Sequence, residues 1–399
     1  MTTKNIIIVC AGDIDFRGYI FEELKAAGYN IILFDDKIDP KFNQYITEFN
    51  RIDFGQSAKH QAAQFHAKFG NVSDYLGLAF IEPIMVWAAE FFAELEIPFS
   101  SPAVTEMSRD KFKMRQQFQQ AGLLSPKFNR VTSTSELLAH DISYPLVVKP
   151  TQGFSSINVT CVDNTTDLLR CARLIEEQTD NPILVEEYIA GDEISLEGYI
   201  NDTDGAVCLS RTTKFKGGLP YFEEVGQYYN ELTHTPSSIE KSVFKQAVAA
   251  VGLTHSIVHL ECIVNREGYY LVEIGARLGG DKIPYLHRLV TAKSILLEFL
   301  GDNVVMPTIL TSGVGIVFFV PRESGLVKNA LPQSFDFPLT EYRIFCTAGE
   351  QVQAAPEVFF TRLGYAVVPA DSEHEFKEKA NLIVEAHELS FGIKLNRIV

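Results

Sequence analysis

Residues Leu271–Lys282 read LVEIGARLGGDK. Two apolar residues lead into Glu273, Arg277 follows, and a Gly-Gly-Asp-Lys turn ends the stretch. Just upstream, His259–Val264 reads HLECIV and places Glu261 in another apolar run. Both segments have the composition of core strands, and NREGYY between them reads as a hairpin turn. A lone carboxylate buried in such a strand is costly. Either the acids are salt-bridged in place, or a cation arrives from outside. Two carboxylates brought side by side repel unless one is protonated or a cation lies between them. A ligand set made only of oxygens points to Mg2+ or Mn2+ rather than zinc. His259 lies two residues before Glu261 and shares its strand face, as a substrate-facing or supporting group.

Working upstream, YPLVVKP (144–150) is a strand whose Lys149 sits just before a proline. A lysine there snorkels to solvent or needs an inward partner. TQGFSSINV follows, and its Gly153, Ser155 and Ser156 make a loop whose backbone N–H groups and hydroxyls suit phosphate oxygens. ILVEEYIAGDEISLEGYI (183–200) reads as two strands around a Gly turn. Its acids Glu186, Glu187, Glu193 and Glu197 are too many for a quiet core. Backbone amides with a carboxylate nearby suit an adenine edge and a ribose diol. SRDKFKMRQQF begins a basic helix carrying Lys111, with Ser108 in the N-cap position.

The chain's ends differ from this centre. NIIIVCAG, RGYIFEELKAAGY and NIILFDD alternate strand, helix and strand, which implies an open parallel sheet. Gly12 and Gly18 do not make G-x-G-x-x-G, so dinucleotide binding is not expected. GVGIVFFV, EYRIFC and YAVVPA make the C-terminal region β-rich, and a late helix follows. The 399 residues call for several domains. A formal charge of −16 without a basic block argues against nucleic-acid binding. No apolar run has the length of a membrane span. Six scattered cysteines without C-x-x-C read as free thiols in the cytoplasm.

The order SRDKFKMR, YPLVVKP, TQGFSSINV, LVEEYIAGDEISLEGY, HLEC and LVEIGARLGGD resembles the ATP-grasp superfamily, and within it the carboxylate–amine ligases related to bacterial L-amino acid (dipeptide) ligases. The resemblance implies a multidomain α/β and α+β fold. An N-terminal pre-ATP-grasp α/β domain is expected over 1–107, and an ATP-grasp domain over 108–300 with subdomains 108–185 and 186–300. A β-rich domain is expected over 301–399. The resemblance also implies roles. Lys111 and Lys149 would hold ATP phosphates under the loop from Gly153 to Ser156. Glu186, Glu187, Tyr188 and Ile189 would present adenine, and Glu193 would take the ribose hydroxyls. Glu261 and Glu273 would bind Mg2+ or Mn2+. Arg277 would face the acyl phosphate or the substrate carboxylate. Gly280, Asp281, His287 and His259 are the expected substrate contacts, and Tyr221, Phe222 and Tyr228 are candidate lining residues.

One departure stands out. The family pattern E-x-N-x-R is here Glu273-Ile274-Gly275-Ala276-Arg277, with glycine in place of the amide. Water can fill that position, since Mg2+ retains waters readily. The implied activity is an ATP-dependent amide or peptide bond formation through an acyl phosphate, with small carboxylate and amine substrates. An ATP-grasp carboxylase, a nucleotide-biosynthesis ligase and a non-catalytic ATP-binding protein are the alternatives. Dimers are common among similar proteins, so a homodimer is a natural assembly.

Overall fold

The computed structural model describes residues 4–138 and 141–398. The N-terminal strands Lys4–Val9, Tyr29–Asp35, Glu48–Arg51 and Leu76–Ala79 form one parallel sheet. Ile6 to Val9 are fully buried, as a strand covered on both faces requires. Asp35, at the carboxyl edge, accepts the Ala11 N–H at 2.8 Å, so this acid closes a turn of its own sheet.

The basic helix runs Lys111–Gln120. Its N-cap is Asp110, which accepts from the N–H groups of Phe112 and Lys113. Ser108, expected in that role, instead ends the preceding short helix Pro102–Met107. Next comes a four-stranded antiparallel sheet in the order Phe128–Val131, Ile183–Glu187, Leu146–Pro150, Thr160–Val162. The helix Thr165–Gln178 packs against it and gives it a core of its own.

The second sheet has eight strands. Gly268–Gly275 is at one edge, followed by Ser256–Asn265, Asp192–Asn201, Gly205–Lys216 and Glu224–Asn230. It continues without a break into Gly313–Phe318, Gly364–Pro369 and Glu341–Ile344. The C-terminal strands therefore extend the sheet that holds Glu261 and Glu273. The late helix, Glu373–Phe391, packs behind them.

Ile183–Glu187 and Asp192–Asn201 do not pair with each other. They belong to different sheets, so residues 188–191 cross from one to the other. This corrects the reading of two strands around one turn: the glycine marks a crossing. A Cβ on Gly191 would lie 2.5 Å from the Val264 carbonyl oxygen, so only glycine fits there. Among the described residues, no helix is long and apolar enough to cross a membrane.

Candidate functional site

The main cleft lies between the two sheets. Leu146–Pro150 and the loop after it form one wall, and the strands around Glu261 and Glu273 form the other. NREGYY is the tight turn expected, and it sets Glu261 directly opposite Glu273 in antiparallel register. The cross-strand pairing also fixes His259, whose Nε2 lies 3.1 Å from Glu261 Oε1 and whose Nδ1 lies 2.5 Å from the fully buried Glu197.

Each acid has a cation from the chain itself. Lys214 contacts Glu261, and Lys111 Nζ lies 3.0 Å from Glu273 Oε2. Burial opposes the charge on Glu261, but Lys214 and His259 outweigh it and hold the carboxyl well below its usual range. Burial likewise disfavours the charge on His259, yet Glu197 and Glu261 raise its pKa to about 9. Arg277 pairs with Glu82, which arrives from the N-terminal region and also meets Arg109 at 3.2 Å. Glu82, followed by the nearby Glu273 and Glu261, raises the Arg277 pKa against the effect of burial.

On the opposite wall, Lys149 points inward. Its Nζ is 2.5 Å from Glu186, whose other oxygen is 2.6 Å from Arg115. Burial lowers the Lys149 pKa, and the Arg115 charge adds to this, whereas Glu186 resists it. Lys111 donates to the Gly153 carbonyl at 2.9 Å and so ties the loop to the basic helix. Ser155 and Ser156 both have positive φ, +54° and +55°, a conformation that turns successive N–H groups to one side.

The cleft brings together sixteen of the expected residues: Lys111, Lys149, Gly153, Ser155, Ser156, Glu186, Glu187, Tyr188, Ile189, Glu193, His259, Glu261, Glu273, Arg277, Gly280 and Asp281. Glu187 accepts the Lys127 N–H through its side chain at 2.9 Å, and its own N–H donates to the Lys127 carbonyl at 3.0 Å. Glu193 lies between Lys216 at 2.8 Å and Lys214 at 3.3 Å. Gly279 carries its neighbour into place, because a Cβ there would press to 2.8 Å of Glu197, while Gly280 faces open space.

His287 is not among the cleft residues. Its helix, Ile283–Thr291, turns it into the core against Tyr229, with ring centroids 5.1 Å apart. Phe222 lines the cleft, whereas Tyr228 is core and Tyr221 packs against Phe359 outside it. The sequence reading missed Lys214 and Lys216. Their signal was present in RTTKFKG, two lysines two residues apart and so on one strand face. It also missed Arg115, Glu82 and Arg362, whose partners come from distant segments, and the lining residues Glu223 and Gln227.

Glu261 and Glu273 offer oxygen donors only. Among the described residues no group of three or more His, Cys, Asp and Glu side chains is placed to cage a metal. A divalent ion at this pair would draw its remaining oxygens from a ligand or water, which is how Mg2+ is usually held beside phosphates. The residues thus fit such an ion.

Residues 142–285 match the ATP-grasp domain family. The chain is 29% identical over 243 residues to the alanine–anticapsin ligase of Bacillus subtilis (strain 168), covering 51% of this chain and 49% of that protein. It is 25% identical over 226 residues to the D-alanine–D-alanine ligase of Pelobacter propionicus, covering 53% of this chain and 67% of that one. The match spans about half the length of the first of these relatives. The crystal structure of an L-amino acid ligase from Bacillus licheniformis shares the fold, with a TM-score of 0.79 over 99% of both chains at 21% identity.

Proposed function

We propose that this chain, whose residues 142–285 form an ATP-grasp domain, is an ATP-dependent carboxylate–amine ligase that releases ADP and phosphate. The observation that carries the reading is the paired Glu261 and Glu273 together with the buried cations Lys111, Lys149 and Arg277 in one cleft. Its relatives include ligases that join amino acids.

A carboxylate does not condense with an amine in water, because oxide is too poor a leaving group. The γ-phosphoryl group of ATP moves to a carboxylate oxygen, giving an acyl phosphate and ADP. The neutral amine attacks the carbonyl carbon, and a tetrahedral oxyanion forms. It collapses to the amide, expels phosphate and loses the extra proton from nitrogen. The protein must neutralise phosphate charge and keep water from the acyl phosphate.

Lys111 and Lys149 take phosphate oxygens, and the loop from Gly153 to Ser156 covers them with N–H groups. The backbone from Glu186 to Ile189 holds the adenine edge, and Glu193 takes the ribose hydroxyls. Glu261 and Glu273 would hold Mg2+ (or Mn2+), which neutralises and orients the phosphate oxygens when bound. Arg277 stabilises the oxyanion or the substrate carboxylate. The existing ion pairs hold Lys111 and Lys149 in place before the anion arrives, so little reorganisation is left for the reaction.

An ADP-release assay with pooled amino acids tests the reading. Release that requires both a carboxylate and an amine supports it. Release driven by bicarbonate would favour a carboxylase, and tight ATP binding without turnover would favour a non-catalytic protein.

A further inference from the structure

The buried side of the basic helix Lys111–Gln120 consists of Lys111, Met114, Arg115 and Phe118. That spacing is the inward stripe of a helix, and half of it is cationic here. Lys111 and Arg115, four residues apart, lie on the same face. Lys111 serves the cleft directly. Arg115 is not among the cleft residues and is fully buried, a costly position for a guanidinium that cannot give up its proton.

Among the described residues, the acid within 4.0 Å of Arg115 is Glu186, at 2.6 Å. Glu186 is also the acid that meets Lys149, through its other oxygen at 2.5 Å. Both Glu186 and Lys149 are themselves buried, so water does not screen the contacts. Two buried cations therefore share one buried anion. None of the guanidinium nitrogens makes a hydrogen bond among the described residues, so Arg115 gives Glu186 charge without a directed bond. One cation would already balance Glu186, and the second is surplus to the pair. Of the three groups, Lys149 and Glu186 are the two that line the cleft.

Resting on the reading of Lys149 as a phosphate ligand, we infer that Arg115 is a positioning residue for the nucleotide: it holds Glu186 so that Lys149 is free to turn to phosphate. Without Arg115, Lys149 would be the sole partner of a buried carboxylate. Drawing it toward a phosphate would leave that carboxylate uncompensated, which is strongly unfavourable. With Arg115 in place, Glu186 keeps a cation at every stage. With Lys149 protonated, the trio carries one positive charge in excess. Phosphate oxygens entering the cleft supply the missing anion.

Calorimetry on the whole chain tests this by comparing a non-hydrolysable ATP analogue, with Mg2+, against adenosine, which has no phosphates. Arg115→Met keeps an unbranched apolar side chain in the space and leaves Glu186 to Lys149. It should weaken binding of the ATP analogue by at least about tenfold, the scale of one charged hydrogen bond, with adenosine affinity unchanged. The double variant Arg115→Met/Glu186→Gln removes one charge of each sign, so Lys149 is released and the excess charge returns. It should recover most of the lost affinity. It strands no charge, so it decides the matter even where the single variant does not fold. Undiminished affinity for the ATP analogue in Arg115→Met overturns the inference, as does an equal loss for both ligands. So does a double variant whose preference for the ATP analogue stays about tenfold below that of the wild type. A loss confined to the ATP analogue and rescued in the double variant, with no ADP release by the wild type for any pair of substrates, upholds the role of Arg115 and rejects the ligase reading instead.

Discussion

Glu261 and Glu273 face each other across adjacent antiparallel strands, yet each is neutralised by a different lysine, Lys214 for the first and Lys111 for the second. The two acids therefore sit as members of two ion pairs, and a phosphate ligand with its metal would compete for both lysines and both carboxylates.

Glu273→Gln retains an oxygen for the Lys111 ammonium and removes the charge. Stability without nucleotide should fall by about 1.5–3 kcal/mol, the worth of a charge-assisted hydrogen bond. Turnover should fall by roughly two to three powers of ten, the scale for one preorganised electrostatic group. Denaturant melts and steady-state rates read the two effects separately. Lost stability with full activity would make Glu273 a structural residue only.

Lys149→Met leaves Glu186 its contact with Arg115 at 2.6 Å, so the acid is not stranded. Nucleotide binding should weaken by about 1.5–3 kcal/mol. Calorimetry with ATP measures this, and an unchanged affinity would mean that Lys149 serves Glu186 alone.

His287 supplies a pH prediction outside the cleft. Burial, helped by Lys293, lowers its pKa from 6.5 to about 4. The unfolded chain therefore binds the proton more readily between these values. The contribution is fully present above pH 6.5 and is lost as pH falls through about 4. Its size is on the order of 3 kcal/mol. Denaturation across this range should show the decline, and His287→Phe should flatten it without altering nucleotide affinity. Altered affinity would return His287 to the list of ligand contacts.

Gly275→Asn restores the amide of the family pattern. A Cβ at Gly275 would meet the Arg277 side chain at 3.5 Å, an ordinary contact, so the larger residue has room to start. The variant should reach half-maximal turnover at several-fold lower Mg2+, on the order of one neutral ligand contact. A flat Mg2+ response would show that water serves equally well in that position.

The half of the cleft around Lys149, the loop from Gly153 to Ser156 and the paired Glu261 and Glu273 was legible because its residues sit in short local patterns. A lysine before a strand proline, a Gly/Ser loop and an acid at each side of a hairpin turn all follow from period-two alternation and turn chemistry. The partners were not legible. Glu82 reaches Arg277 across 195 residues, and no local pattern in EPIM announces it. His287 was misplaced because its helix buries that face, and sequence spacing alone did not say which side met the core. The crossing at 188–191 was missed for a related reason. Two strands around a glycine read the same whether they pair with each other or with different sheets.

Isotope transfer tests the central claim most directly. With a carboxylate substrate labelled by 18O in both oxygens, an acyl phosphate leaves one labelled oxygen in the inorganic phosphate when the amine displaces it. The account predicts one 18O per phosphate released, with ADP as the nucleotide product and release dependent on both substrates. Unlabelled phosphate, or AMP in stoichiometric yield, would contradict it.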